Sequence, residues 1–156
     1  MGKRQDNDEA IARLIEGFVS QGRRTTALGE AARWGRIDLI EGLLQGGVGV
    51  DDRTEFGATS LMLAASGGQT RVVAYLIERG ADVNAVSERK RMTPLIACVA
   101  ALHTKRVYLK ILELLLGAGA GCSLSVRDAE GRTALDWARD GRPEEVVTLL
   151  EEHWPD

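Results

Sequence analysis

GATSLMLAASGGQTRVVAYLIERGADVN, from Gly57 to Asn84, holds two short apolar runs, Leu61 to Ala65 and Val72 to Ile77. Gly67 and Gly68 separate them and Gly80 closes the second, the pattern of two short helices folded back on each other. Neither helix is long enough to bury its apolar face alone. The stretch therefore needs neighbours of its own kind.

Those neighbours are found on both sides. Thr26, Leu28, Ala31, Leu43, Gly47 and Asp51 fall on Thr59, Leu61, Ala64, Leu76, Gly80 and Asn84 at a constant offset of 33 residues. A fixed period of this length signals a repeat architecture. A third copy starts at Thr93-Pro94-Leu95, 34 residues on, its extra residue placed in the loop Ser87 to Met92. A fourth starts at Thr133-Ala134-Leu135, 40 residues on. Aligning Ile111 to Leu116 with Val72 to Ile77 puts five of the seven extra residues between Val99 and Lys110 and two near Gly121 and Cys122. The first insertion is helix-friendly, which predicts longer, projecting helices in the third copy.

The four copies resemble ankyrin repeats over about residues 26 to 150. In the Thr, Leu and Ala slots of the Thr-Pro-Leu-His-x-Ala pattern, eleven of twelve positions match, Cys98 being the exception. Thr suits the cap of a first helix, Pro94 its first turn, and the small residues allow close helix approach. The His slot departs from the family and holds Gly29, Met62, Ile96 and Asp136, so the hydrogen bonds by which His would brace the loops are missing. Hairpin signals are uneven as well. They are present at Phe56-Gly57 and Asp128 to Gly131 and absent before Thr93.

The expected fold is all-α, an ankyrin-repeat solenoid of stacked helix-turn-helix units with short hairpin loops. Residues 1–25 form an N-terminal capping helix, with Ile11, Leu14, Ile15, Phe18 and Val19 in one stripe. Repeats occupy 26–58, 59–92, 93–132 and 133–156, and the acidic finish of the last serves as a C-terminal cap.

The bulk composition suits one folded domain: 156 residues, 44% hydrophobic, 28% charged, formal charge −3. Locally the charge alternates, with residues 59–132 net basic between net acidic flanks at 26–58 and 133–156. Two cysteines, Cys98 in an apolar run and Cys122 in a Gly/Ser loop, form neither a disulfide framework nor a metal-ligand set, which points to a reducing compartment. No apolar signal core opens the chain, no run of ~18 apolar residues spans a bilayer, and residue 6 is not the Ser or Thr of a myristoylation site. The expected location is cytoplasmic.

Catalytic candidates are few: His103, His153, Cys98 and Cys122, with paired carboxylates at Asp51-Asp52, Glu144-Glu145 and Glu151-Glu152. Neighbouring carboxylates do not face a common cleft, and Cys98 sits in a slot that is Ala in its sister copies. No phosphate-binding glycine loop or zinc-spaced Cys/His set occurs. The chain is expected to be no enzyme, with no catalytic residue, no cofactor and no metal.

The ankyrin resemblance implies protein recognition by hairpin tips and the inner side of each first helix. Carried over by position, this selects Arg53, Glu55 and Phe56 in the first loop, Arg89, Lys90 and Met92 in the second, and Arg127, Glu130 and Arg132 in the third. Helix-end slots add Arg33, Trp34, Ser66 and Asp140. Trp34 and Phe56 are the sharpest, because aromatic side chains dominate interface hot spots; for Trp34 the alternative is packing on the N-terminal helix. Trp137 is expected in the core. Arg89, Lys90, Arg91, Lys105, Arg106 and Lys110 are expected to form a basic ridge if the third-copy helices rise beside the preceding loop.

The implied partner is another protein, bearing an acidic patch if the ridge is used. Nucleic acid is not expected, since no aromatic side chains interleave the cations, and neither is a membrane. By itself the chain is expected to be a monomer. Repeats and caps fill it and leave no room for an effector domain, so the role expected is that of a stand-alone adaptor or stoichiometric inhibitor. The alternatives are an immunity- or antitoxin-like blocker of a cognate enzyme, or a scaffold subunit.

Overall fold

In the computed structural model, residues 2–101 and 105–154 are described. All the regular structure among them is helical. A first helix, α1 (Gly2–Ser20), precedes four helix pairs: α2 (Arg24–Arg33) with α3 (Ile37–Gln45), α4 (Ser60–Ser66) with α5 (Thr70–Glu78), α6 (Pro94–Ala100) with α7 (Lys105–Gly117), and α8 (Ala134–Arg139) with α9 (Glu144–Glu152). A short 3-10 turn, Ala120–Ser123, follows α7. It absorbs the two extra residues expected near Gly121 and Cys122.

The first helices form one row, α2 on α4, α4 on α6 and α6 on α8, and the second helices lie behind them. Identical slots build the seam. Leu28, Leu61 and Leu95 are fully buried, as are Ala31, Ala64, Cys98 and Ala138. The small side chains of the second set keep adjacent helices close, and the leucines fill the space between layers. Burial pushes the Cys98 thiol up to about 12, so it stays protonated and unreactive at neutral pH.

Helix starts follow from local chemistry in three of the four copies. The hydroxyls of Thr59, Thr93 and Thr133 accept from the backbone N–H of Met62, Ile96 and Asp136, and Pro94 takes the first turn of α6. Thr26 does not cap. The first copy's helix begins two residues earlier, at Arg24, and Thr26 lies buried inside it. On α1, Ile11 and Ile15 are buried against the core while Leu14 and Val19 stay exposed. The expected stripe is thus only half covered, because α1 packs chiefly on α2.

The third copy corrects another expectation. Only its second helix is longer: α7 has 13 residues against 9 in α5, whereas α6 has 7, the same as α4. The first helix is held between α4 and α8 and must keep the spacing of the row. The second lies in the outer layer, where added turns displace nothing.

Among the described glycines, close approach to another backbone is tightest at Gly67. Its φ of −81° suits any residue, yet a Cβ there would strike the backbone carbonyl oxygen of Arg33 in the preceding copy. Gln69 Nε2 donates to the same oxygen at 3.0 Å. Gly67→Ala should therefore lower stability by about 1–3 kcal/mol even though alanine is the better helix former. A urea midpoint unchanged or raised in this variant would show that the two backbones can separate freely.

Candidate functional site

Three loops before α4, α6 and α8 turn on the same device. Thr54 N–H donates to the Ala58 carbonyl, Ser87 N–H to Met92 and Asp128 N–H to Arg132, at 2.9, 2.8 and 3.0 Å. In each, the side-chain oxygen of the first residue also accepts from the backbone across the turn: Thr54 from Ala58, Ser87 from Met92, Asp128 from Arg132. The loop before Thr93 is thus a hairpin in spite of its missing turn signal. Its extra residue sits between Ser87 and Met92. Where the other two hairpins place Gly57 and Gly131 with positive φ, this one places Arg91 at φ 51°, a region that favours glycine.

The hairpins brace one another in a row. Arg53 Nη1 donates to the carbonyls of Gly57 and Val86, and Arg127 Nη1 donates to that of Gly131. Ala129 N–H donates to the Lys90 carbonyl at 2.9 Å. Charges along the row are mostly consumed internally, Glu55 by Arg23, Glu88 by Arg53, Asp136 by Arg127 and Asp140 by Arg132.

Asp128 anchors the third hairpin. It is buried, and its carboxylate accepts from the N–H of Glu130 and Arg132 at 2.9 Å each and from Trp137 Nε1 at 2.8 Å. Burial alone would raise its pKa, but the hydrogen bonds from Trp137, Arg132 and Glu130 outweigh it and hold the group below the usual carboxylate value. Trp137, expected in the core, is half-buried at its edge, with the Arg132 guanidinium 3.8 Å from its ring centre.

Between the first two hairpins and helices α2, α4 and α6 lies a groove of about 600 Å³. Met62, Ala97, Ala58 and Met92 form its apolar floor, a satellite cluster that Met92 joins to the main core. Of the thirteen residues selected from sequence, the groove gathers Arg33, Phe56, Ser66, Arg89, Lys90 and Met92. Phe56 is 59% exposed at the rim, and the Arg89 guanidinium lies 5.7 Å from its ring centre. Trp34, 47% exposed, ends α2 outside this lining. Arg53, Glu55, Arg127, Glu130, Arg132 and Asp140 also lie outside it.

Groove residues missed from sequence are Glu30, Leu63 and Ala97, all in the slot that holds Trp137 in the last copy, together with Met62, Thr26, Thr54, Ala58 and Ser87. The available signal was variation: this slot reads Glu, Leu, Ala, Trp, whereas the slot after it reads Ala, Ala, Cys, Ala. The His slot is explained too. A Cβ on Gly29 would come within 2.5 Å of Leu63 Cδ1 and 2.9 Å of Thr54 Cγ2, so a larger residue there must displace both side chains. Met62 supports its hairpins by packing, and Asp136 completes a capping box with Thr133.

The expected basic ridge divides. Arg89 to Arg91 occupy a hairpin tip at the start of α6, whereas α7 begins beyond the other end of that helix. Lys110 pairs with Glu113 at 3.4 Å, and the side chain of Lys105 is outside the described residues, as is His103. His153 is exposed, its Nδ1 2.9 Å from the Leu149 carbonyl. Among the described residues no group of three or more His, Cys, Asp or Glu side chains could hold a metal ion, and no helix is long and apolar enough to cross a membrane.

Comparison with known proteins agrees with this geometry. A family model of ankyrin repeats in three copies matches residues 3–87 and 28–128. The chain is similar to "ankyrin repeat, SAM and basic leucine zipper domain-containing protein 1" of Ovis aries, 36% identical over 140 residues and 89% of this chain. The Bos taurus protein of that name is 36% identical over 85% of the chain, and that of Dasypus novemcinctus 30% over 91%. The chain spans 27% to 29% of the length of these relatives.

Two stability predictions follow from the hairpins. Asp128→Asn leaves Trp137 Nε1 facing an amide in place of a carboxylate and should cost about 2 kcal/mol at neutral pH. Because the folded pKa is lowered, the stabilisation is complete above the unfolded value of about 3.9 and is lost as pH falls through the folded one. The gap between wild type and variant in urea titrations should accordingly narrow below about pH 4, and a gap independent of pH would refute the assignment. Arg91→Gly relieves the left-handed residue and should raise stability by about 0.5–1 kcal/mol, read as a higher urea midpoint.

Proposed function

This chain belongs to the ankyrin-repeat family, whose repeats form protein–protein interaction modules, and we propose that it holds a partner protein in the groove between the Phe56 and Arg89 hairpins. One observation carries the reading. Half-buried Ala58 and Met92, backed by the buried Met62 and Ala97, form an apolar floor beneath a rim that carries Phe56 and Arg89, residue types that dominate interface hot spots. The guanidinium already lies over the ring, 5.7 Å from its centre, which lowers the ordering cost of binding.

The chemistry of the groove is that of capture, with no reacting group in its lining. We assign the chain the role of an adaptor or stoichiometric inhibitor, acting by tethering or covering its partner. The outlying candidates, Trp34 above all, would extend the contact along the hairpin row and the ends of the first helices.

Phe56→Ala should weaken partner binding by about 2 kcal/mol, roughly thirtyfold, with folding left cooperative because the ring is mostly outside the core. Calorimetry on a purified partner measures this, with Trp34→Ala in parallel to mark how far the contact reaches. If neither substitution changes affinity, the groove is not the binding face. Assaying the partner's own activity with and without the chain separates inhibition from tethering.

A further inference from the structure

Resting on the groove reading above, we infer that the occupant is an extended acidic peptide segment: an aliphatic or aromatic side chain enters the Met62–Met92 floor, and a neighbouring Asp or Glu carboxylate meets Arg89 and Lys90.

The charge left over after internal pairing points to this chemistry. Along the three tips the arginines 53, 127 and 132 each have a carboxylate within 4.0 Å. Arg89 and Lys90 line the groove, are exposed, and have no such partner among the described residues; Glu88 beside them is directed to Arg53. Two adjacent cations without counter-charge repel each other and raise the local positive potential, a condition that an anionic ligand relieves.

These cations are also held in place from both sides. Arg89 lies against the Phe56 ring of the first hairpin, and the Lys90 carbonyl accepts from Ala129 N–H of the third. Arg91 takes the strained left-handed position, its Nε donating at 3.4 Å to the Arg127 carbonyl. A tip kept in this geometry at the expense of backbone strain presents preorganised donors, which strengthen charge-assisted hydrogen bonds to a carboxylate. At the opposite wall Glu30 and Arg33 face each other at 3.7 Å and neutralise one another. The groove therefore has one basic end and one neutral end, with apolar surface between. An acidic residue belongs at the hairpin end and the apolar anchor at the centre.

The test uses the full chain and a displayed library of random decapeptides. Enriched sequences should carry Asp or Glu within about three residues of Leu, Met or Phe, the reach of an extended segment at ~3.3 Å per residue. Synthetic peptides of that consensus should bind the Arg89→Glu/Lys90→Glu variant at least about tenfold more weakly, and should lose affinity as salt rises. Circular dichroism melts of the variant should match wild type, since both side chains are exposed and outside the internal ion pairs. An apolar consensus without acid, or an acidic one that survives the charge reversal, would overturn the inference and leave the groove reading standing. No enrichment at all would overturn both. Binding that appears only when phosphoserine replaces the acidic residue would overturn the choice of a carboxylate.

Discussion

The distance at which one first helix can lie against the next governs the rest of the molecule. Ala31, Ala64, Cys98 and Ala138 occupy the same buried slot in α2, α4, α6 and α8, and the Gly67 backbone meets the Arg33 carbonyl with no room for a methyl group. Short helices of six to ten residues are marginal in isolation, so burial between copies supplies what each lacks. Side chains one methylene larger in this column would spread the row. Every hairpin is attached to the start of such a helix, so the spacing of the column is also the spacing of the tips.

That coupling explains why three hairpins of differing sequence share one turn. Thr54, Ser87 and Asp128 stand at the same position, each with a side-chain oxygen that accepts a backbone N–H across the turn. The acceptor grows stronger towards the end of the row, where Asp128 also takes the Trp137 indole proton. The middle hairpin has only a hydroxyl and no glycine at its left-handed position. Contacts from both neighbours compensate: Arg53 to the Val86 carbonyl on one side, Ala129 to the Lys90 carbonyl on the other. Its conformation is therefore a property of the row.

The same distinction separates what was legible in the sequence from what was not. Helix pairs, their copies and the buried slots were readable because they recur at a fixed offset, and repetition multiplies a weak local signal. The second hairpin was not, since a left-handed Arg91 has no signature in local propensity and is maintained by neighbours 36 or more residues away. The groove floor was not legible for a related reason. Leu63 and Ala97 look like core residues by type, and only the folded structure shows that their slot lines the groove. Six of the thirteen selected tip and helix-end residues converge on one groove; the exposed Arg53 and Arg127 and the half-buried Arg132 turn out to be engaged in bracing.

Charge shows why counting residues is a poor guide to recognition in such a structure. The whole chain is net acidic, and its basic middle appeared as a ridge of six cations only when connectivity was ignored. In three dimensions the helix reversal sends α7 to the far end of α6, and carboxylates neutralise most arginines of the tip row at short range. Paired surface charges have little net field beyond ~10 Å in physiological salt. Among the described residues, the cations left without a carboxylate partner at the groove are Arg89 and Lys90, beside an apolar floor. The potential there has the opposite sign to that of the molecule as a whole, and it arises from the pairing geometry of the hairpins.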